Sequence, residues 1–166
     1  MKFSGKVVKF GDNIDTDVIL PSKYMVLTDP KELAQHAMEG LNPDFARKAK
    51  DGVILVAGKN FGCGSSREQA PLALKYAGVK CVLAESFARI FYRNAINIGL
   101  PVVECSGISR KAEEGDQLTV DLKFGIVENQ SKGTTVHVAQ IPPFMLEILS
   151  DGGLVENLRK RMKKNE

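Results

Sequence analysis

The chain has 166 residues, 43% of them hydrophobic and 26% charged, which is the balance of a globular protein and predicts one domain over residues 1–166. The longest uncharged apolar stretch, residues 95–103, is much shorter than the ~20 residues that cross a bilayer, and residues 1–10 lack the apolar run of a secretory signal. The formal net charge of +3 is concentrated in the last eight residues, so we expect neither a membrane nor a nucleic-acid partner.

The three cysteines, Cys63, Cys81 and Cys105, are 18 and 24 residues apart, which matches neither a CxxC pair nor a zinc site. An odd number of cysteines without metal spacing fits a reducing compartment, so we expect a cytoplasmic protein. We expect no metal to be bound by this chain.

The first third of the chain predicts a short strand, a turn and a helix. Residues 7–10 form the strand, and the next seven residues are rich in Asp and Asn, which favour turns. Asp29 predicts a helix N-cap, with Pro30 at the first helical position and Glu32 two residues later. The apolar stripe expected on this helix consists of Leu33, Ala34, Ala37, Met38 and Leu41.

The middle third alternates three apolar strands with two helices. The strands are predicted at residues 53–57, 81–84 and 101–105, and Ser86 is expected to cap the second helix, which ends at Gly99. Strands that are apolar on both faces and joined by helices imply a parallel sheet.

After Gly107 the pattern changes to half-exposed antiparallel strands at residues 117–122, 126–127 and 134–138. Two helices follow, at residues 144–149 and 154–162, and the second continues into a basic tail over about residues 154–166. We interpret this tail as a solvated, frayed helix end, with contact to RNA or an anionic lipid surface as the alternative. The predicted fold class is α/β: a parallel βαβαβ core with short antiparallel strands and C-terminal helices.

Residues 58–71 (GKNFGCGSSREQAP) connect the first core strand to its helix, and their glycines allow the backbone to approach a ligand closely. Ser65 and Glu68 match a capping box, which predicts that the helix begins there. Helix N-terminal amides beside Arg67 would form a site for an anion such as a carboxylate.

A nucleotide-binding module is the alternative interpretation of this loop. Gly62 and Gly64 begin a GxGxxG pattern, and Glu85 falls near the end of the next strand, where a ribose-binding acid would lie. Arg67 occupies the position of the third glycine, however, and no Gly-Lys-Ser/Thr phosphate loop occurs.

Three segments together carry a resemblance to a known family: residues 11–21 (GDNIDTDVILP), 58–71 and 85–101 (ESFARIFYRNAINIGLP). They resemble the small subunits of 3-isopropylmalate dehydratase, the separate-chain form of the swivel domain in the aconitase superfamily. The resemblance implies a β/β/α swivelling fold and the isomerisation of 2-isopropylmalate to 3-isopropylmalate by dehydration and rehydration, in leucine biosynthesis. Homoaconitase or a broad-specificity hydro-lyase of the same type remains the alternative.

The resemblance also implies which residues act. Ser65 corresponds to the family's base, which acts as an alkoxide, and a helix N-terminus together with Arg67 would favour that charged form. Ser66 and Arg67 correspond to residues that bind a substrate carboxylate, where Gly64 leaves room for the ligand. Asp17 corresponds to an acid that pairs with a histidine of the other subunit.

The family's [4Fe–4S] cluster needs closely arranged cysteines, and the three in this chain are expected to be buried or incidental. The resemblance therefore implies an iron–sulfur large subunit as the partner, without which this chain is inactive. His36 and His137 are expected to be structural, without a local partner.

Substrate choice in the family depends on a loop that corresponds to residues 22–28, where relatives acting on tricarboxylates have an arginine. Val26 and Leu27 stand there instead, and an apolar wall suits an isopropyl group. The alternative is that both residues belong to the core.

Overall fold

The computed structural model describes residues 1–166. Its strands are β1 (Lys2–Lys9), β2 (Val53–Ala57), β3 (Val79–Ala84), β4 (Val102–Glu104), β5 (Gln117–Asp121), β6 (Ile126–Asn129) and β7 (Thr134–His137). Its helices are α1 (Thr16–Ile19), α2 (Pro30–Ala34), α3 (Phe45–Ala49), α4 (Gln69–Ala77), α5 (Arg89–Asn97), α6 (Ile108–Lys111), α7 (Pro143–Ser150) and α8 (Leu154–Lys164). None of these helices is both long and apolar enough to cross a membrane.

All seven strands form one sheet in the order β4-β3-β2-β1-β5-β6-β7. The strands β1 to β4 are parallel, whereas β5, β6 and β7 pair antiparallel. Every residue of β2 is buried, which explains the uninterrupted apolar run that predicted it. The predicted mixed α/β class, with a parallel core, antiparallel strands and C-terminal helices, is confirmed.

Strand β1 joins the parallel and antiparallel parts of the sheet, and it is longer than predicted. Its first half pairs with β5, from Lys2 opposite Asp121 to Lys6 opposite Gln117. Its second half pairs with β2, from Lys6 opposite Val53 onward. The apolar pattern predicts only the second half of β1 as a strand. The first half is a strand because it pairs with β5, which lies more than 100 residues away in the chain.

Helices α4 and α5 both begin later than the sequence predicts. The cap of α4 is Glu68, without a side-chain hydrogen bond, and the expected capping box at Ser65 is wrong. The Thr16 hydroxyl donates to the Ser65 carbonyl at 2.7 Å, which holds this segment against α1. Helix α5 is preceded by Ala88, because the Ser86 hydroxyl accepts a hydrogen bond from the Asn60 amide at 2.8 Å instead of capping the helix.

The helix predicted after Asp29 is correct at its start but short. Asp29 caps α2, accepting from the Lys31 amide at 2.9 Å, and the helix ends at Ala34. The chain then turns through Met38, which has a φ of +58° and donates its amide to the Ile19 carbonyl at 2.8 Å. The residues of the expected apolar stripe are buried except for Leu41. The spacing of apolar residues therefore predicted correctly which side chains are buried, but it predicted too long a helix.

The basic tail continues α8 as a helix to Lys164, and residues 158–166 are all exposed, as expected of a solvated helix end. Three of its cations pair with acids nearby: Arg159 with Glu156 at 3.0 Å, Lys160 with Asp151 at 3.0 Å and Arg161 with Glu147 at 3.6 Å. These pairs connect α8 to its own first turn and to the end of α7.

Candidate active site

The candidate site lies at the carboxyl edge of the parallel strands, where three connecting segments meet. These segments follow β1, β2 and β3, and short bridges join them: Asp15 pairs with Cys63, and Phe61 pairs with Phe87. Ligands of open α/β sheets bind at this edge because the loops that carry functional side chains converge there.

The loop after β2 is held against α1 by main-chain hydrogen bonds. The Gly62 amide donates to the Ile14 carbonyl at 2.7 Å, and the Thr16 amide donates to the Cys63 carbonyl at 2.8 Å. Gly62 has a φ of +82°, and a Cβ there would collide with the ring of Phe91. The loop therefore has its shape fixed before any ligand arrives.

Arg67 and Asp17 form the charged centre of the site. Nη1 of Arg67 donates to Oδ1 of Asp17 at 3.2 Å, and the same oxygen accepts from the Ser22 amide at 2.9 Å. The hydrogen bond from Ser22, followed by that from Arg67, holds the pKa of Asp17 below its usual value. The side chain of Asp17 is 61% exposed and that of Arg67 only 21%, so the arginine is the more buried member of the pair.

A cavity of about 220 Å³ brings four of the predicted residues together. Gly64, Ser65, Ser66 and Arg67 line one side of it. The other side is the first half of α5, none of whose residues was predicted to belong to the site, and it contributes Arg89, Ile90, Phe91 and Asn94. A larger groove of about 620 Å³ lies between β4 and residues 139–142 and contains none of the predicted residues.

The first turn of α5 was identifiable in principle. Because α5 follows a parallel strand, as the 58–68 loop does, its beginning had to lie at the same edge of the sheet. It has no side-chain cap, so its first amides suit an anion in the cavity. Nδ2 of Asn94 lies 3.5 Å from Oγ of Ser66, which connects the helix to the loop.

Val26 and Leu27 do not line this cavity, and they differ from each other. Val26 is 82% exposed, whereas Leu27 is half-buried and packs against the core. Their loop is connected to the charged centre through Ser22, whose amide binds Asp17.

Residues 5–108 match the family described as the aconitase C-terminal domain. The chain belongs to this family. It is 58% identical over 162 residues to the isopropylmalate/citramalate isomerase small subunit of Methanocaldococcus jannaschii, covering 98% of this chain and 96% of that protein. It is 56% identical over 163 residues to the 3-isopropylmalate dehydratase small subunit of Halothermothrix orenii, covering 98% and 99%.

Solved structures agree with this assignment to the aconitase C-terminal domain family. A crystal structure of 3-isopropylmalate dehydratase from M. jannaschii superposes with a TM-score of 0.93 at 46% identity, covering 99% of this chain and 98% of the other. Aconitase X of Thermococcus kodakaraensis shares the fold alone, with a TM-score of 0.52 at 18% identity, covering 84% and 92%. The resemblance to 3-isopropylmalate dehydratase small subunits, and with it the hydro-lyase class, is confirmed.

Glu85 has a structural function in this member of the family. Its carboxylate accepts from the amides of Gly107 at 2.7 Å and Ser109 at 3.0 Å. Burial alone would raise the pKa of Glu85, but these hydrogen bonds outweigh it and lower the pKa. Because each oxygen of this carboxylate already accepts a main-chain hydrogen bond, Glu85 is not the free acid that binding of a ribose would need, and the alternative of a nucleotide-binding module loses its support.

The cysteines of this family member do not suit an iron–sulfur cluster, which needs several thiolates around one point. Cys81 and Cys105 are buried in β3 and after β4, and burial raises the pKa of both thiols, that of Cys105 to about 11. Cys63 lies apart from them, in the loop after β2.

The two histidines differ in their surroundings. His137 is exposed on β7, as expected of a residue without a local partner. For His36 that expectation is wrong: its ring stacks on Tyr24 with centroids 3.7 Å apart, and Nδ1 lies 2.9 Å from Oε2 of Glu39. Tyr24 belongs to the 22–28 loop, so His36 contacts the segment expected to select the substrate.

Proposed function

We propose that this chain is the small subunit of a 3-isopropylmalate dehydratase that interconverts 2-isopropylmalate and 3-isopropylmalate through an alkene diacid in leucine biosynthesis. The observation that carries the proposal is the meeting of Ser65, Ser66 and Arg67 at one small cavity. Serine hydroxyls and a guanidinium that line one cavity suit a substrate with a carboxylate next to the carbon that loses its proton.

Ser65 is the base in this proposal. Its alkoxide takes the proton from the carbon beside a carboxylate, the hydroxyl on the neighbouring carbon leaves, and the double bond forms between the two carbons. The charge that develops on the carboxylate is stabilised by Arg67 and by the first turn of α5. Addition of water in the opposite sense, with the proton returned by Ser65, completes the isomerisation.

Ser66 and Arg67 hold the substrate carboxylate, and Gly64, which lines the same cavity with a φ of +90°, lets the main chain of the loop approach it. Asp17 fixes one edge of the Arg67 guanidinium through the 3.2 Å hydrogen bond, which leaves its other N–H groups for the ligand. Asp17 is also exposed enough to meet a histidine of the large subunit.

The large subunit is the proposed partner and holds the [4Fe–4S] cluster, which supplies a Lewis acid for the leaving hydroxyl. The donor set of this chain supports that division, because its two buried thiols favour the protonated form. The site is therefore complete only between the two subunits.

Val26 is the residue proposed to meet the apolar group of the substrate. It is a large apolar side chain left 82% exposed on a loop that is hydrogen-bonded to Asp17, and Leu27 supports it from the core side. A second substrate, citramalate, is favoured by the 58% identical relative from M. jannaschii, which is the small subunit of an isopropylmalate/citramalate isomerase.

Anaerobic reconstitution with the large subunit encoded in the same genome tests the function. The complex is assayed with isopropylmalate, citramalate and homocitrate at equal concentrations. Turnover of isopropylmalate supports the proposal, and comparable turnover of citramalate extends it to the broader enzyme. Preference for homocitrate, or no turnover by an assembled, cluster-loaded complex, would contradict it.

A further inference from the structure

The 22–28 loop is a tightly wound segment rather than an open one. Three successive turns close it: Tyr24 donates its amide to the Pro21 carbonyl at 3.0 Å, Met25 to Ser22 at 3.1 Å and Leu27 to Tyr24 at 3.0 Å. Met25 and Leu27 pack toward the core, so that Val26 is the apolar side chain left outside.

Tyr24 is the side chain through which the rest of the fold holds this loop. The Tyr24 and His36 rings are nearly parallel, with an interplanar angle of 8° and centroids 3.7 Å apart. Glu39 contacts the His36 ring, with Oε2 at 2.9 Å from Nδ1. The ammonium of Lys23 lies 5.1 Å from the centre of the Tyr24 ring.

The directions of the pKa shifts of Tyr24 and Glu39 agree with these two side chains lying close together. The hydrogen bond to Glu39 raises the pKa of Tyr24. Burial alone would raise the pKa of Glu39, but the hydrogen bonds from Tyr24 and His36 outweigh it, and the pKa is lowered.

The support under this cluster is fixed to the helix that carries Asp17. Met38, which lies between His36 and Glu39, donates its amide to the carbonyl of Ile19, the last residue of α1. The start of the loop is fixed to the same helix, because the Ser22 amide binds Asp17. The Ser22–Asp17 and Met38–Ile19 hydrogen bonds therefore fix the position of the loop relative to the candidate site.

We propose that His36 and Glu39 are positioning residues that hold Tyr24, and through it the 22–28 loop, so that Val26 is presented at a fixed place beside the carboxylate site. This inference rests on the proposed function, in which Val26 contacts the apolar group of the substrate. A loop ordered in advance loses less conformational entropy when a ligand binds, so its effect belongs to substrate affinity rather than to the chemical step.

The test compares four variants of the full chain with the wild type. His36→Ala removes the ring stack and the hydrogen bond to Glu39, and His36→Phe restores only the stack. Glu39→Gln keeps the shape and removes the charge. His137→Ala is the matched control, because it removes an exposed histidine on β7. Thermal unfolding checks that each variant folds, and Glu39→Gln still decides the question if His36→Ala does not.

Two measurements are made on each variant. Hydrogen exchange of the Met25 and Leu27 amides in the lone chain is expected to be roughly tenfold faster in His36→Ala, with His36→Phe intermediate, because local opening sets the exchange rate. In the reconstituted complex, KM for isopropylmalate is expected to rise roughly three- to tenfold with kcat nearly unchanged, the pattern of lost uniform binding. The control should match the wild type in both.

Unchanged exchange at Met25 and Leu27 in both His36→Ala and Glu39→Gln would overturn the positioning function, whatever the substrate. Faster exchange with an unchanged KM would overturn the connection to substrate binding. A wild-type complex that turns over no isopropylmalate would instead contradict the proposed function, and the exchange measurement would still decide whether His36 and Glu39 hold the loop.

Discussion

Ser65 and Ser66 are adjacent in the chain, yet the structure gives them different surroundings. Ser66 lies against Asn94 of α5. The carbonyl of Ser65 accepts a hydrogen bond from the Thr16 hydroxyl, and Ser65 does not cap α4. The hydroxyl of Ser65 is therefore not required to hold the helix end. A catalytic function and a capping function, which the sequence left as alternatives, now predict different results for one substitution.

Ser65→Ala is expected to lower kcat of the reconstituted complex by about 10²–10⁴-fold, the usual contribution of a general base, or by more for an alkoxide. The loss of a helix cap would cost about 1 kcal/mol of stability, and no such loss is expected here. Turnover and thermal unfolding are measured together, with Ser150→Ala at the end of α7 as the control. Retention of most of the turnover by Ser65→Ala would refute the catalytic function.

Asp17 is expected to make stability depend on pH. Its pKa in the folded chain lies below the usual value, so its hydrogen bonds to Ser22 and Arg67 stabilise the fold above the pKa of the unfolded chain. This contribution is lost as pH falls through the folded pKa. The Tm difference between wild type and Asp17→Asn should therefore be largest near neutral pH and shrink below about pH 4. Asp51→Asn, in an exposed turn, should show no such trend.

At the scale of elements, Val26 and Leu27 of the 22–28 loop have different surroundings, although the sequence predicted the same function for both. An arginine at position 26 replaces an exposed side chain and is expected to be tolerated, whereas one at position 27 replaces a side chain packed on the core. Leu27→Arg should therefore lower the Tm, and Val26→Arg should not.

Val26→Arg is expected to change substrate selection. Losing the contact with an isopropyl group, about 2 kcal/mol at ~0.8 kcal/mol per carbon, corresponds to a roughly thirtyfold higher KM. The new guanidinium also gives a third carboxylate a partner, so the ratio of kcat/KM for homocitrate over isopropylmalate should rise at least tenfold, by about 1.4 kcal/mol or more. Val26→Gln introduces a polar but uncharged side chain there and serves as the control. An unchanged ratio would exclude Val26 from the substrate pocket.

The elements that local pattern determines were predictable, and those that distant contacts determine were not. The apolar runs gave β2, β3 and β4 within a residue or two, because both faces of these strands are buried. The start of α4 was misplaced since its position depends on the Thr16 hydroxyl, almost fifty residues earlier in the chain. Glu39 is three residues from His36 and could have been found, whereas the ring of Tyr24 could not.

At the scale of the whole molecule, the division of labour between subunits can be tested on the lone chain. Purified without oxygen, it is expected to contain no labile iron and to show no dehydratase activity, since its buried thiols favour the protonated form. Iron content and visible absorbance are the measurements, and adding the large subunit should restore turnover. Brown colour with stoichiometric iron in the lone chain would contradict this expectation.

The double pairing of β1 also determines when the protein can finish folding during its synthesis. Strand β1 leaves the ribosome before the other six strands, and it needs β5, which ends at Asp121, to pair with the first half of its length. A nascent chain released before that point has an open strand edge able to pair with another chain. Protease resistance of stalled nascent chains is therefore expected to appear only after residue 121 has emerged, even though β2, β3 and β4 emerge earlier.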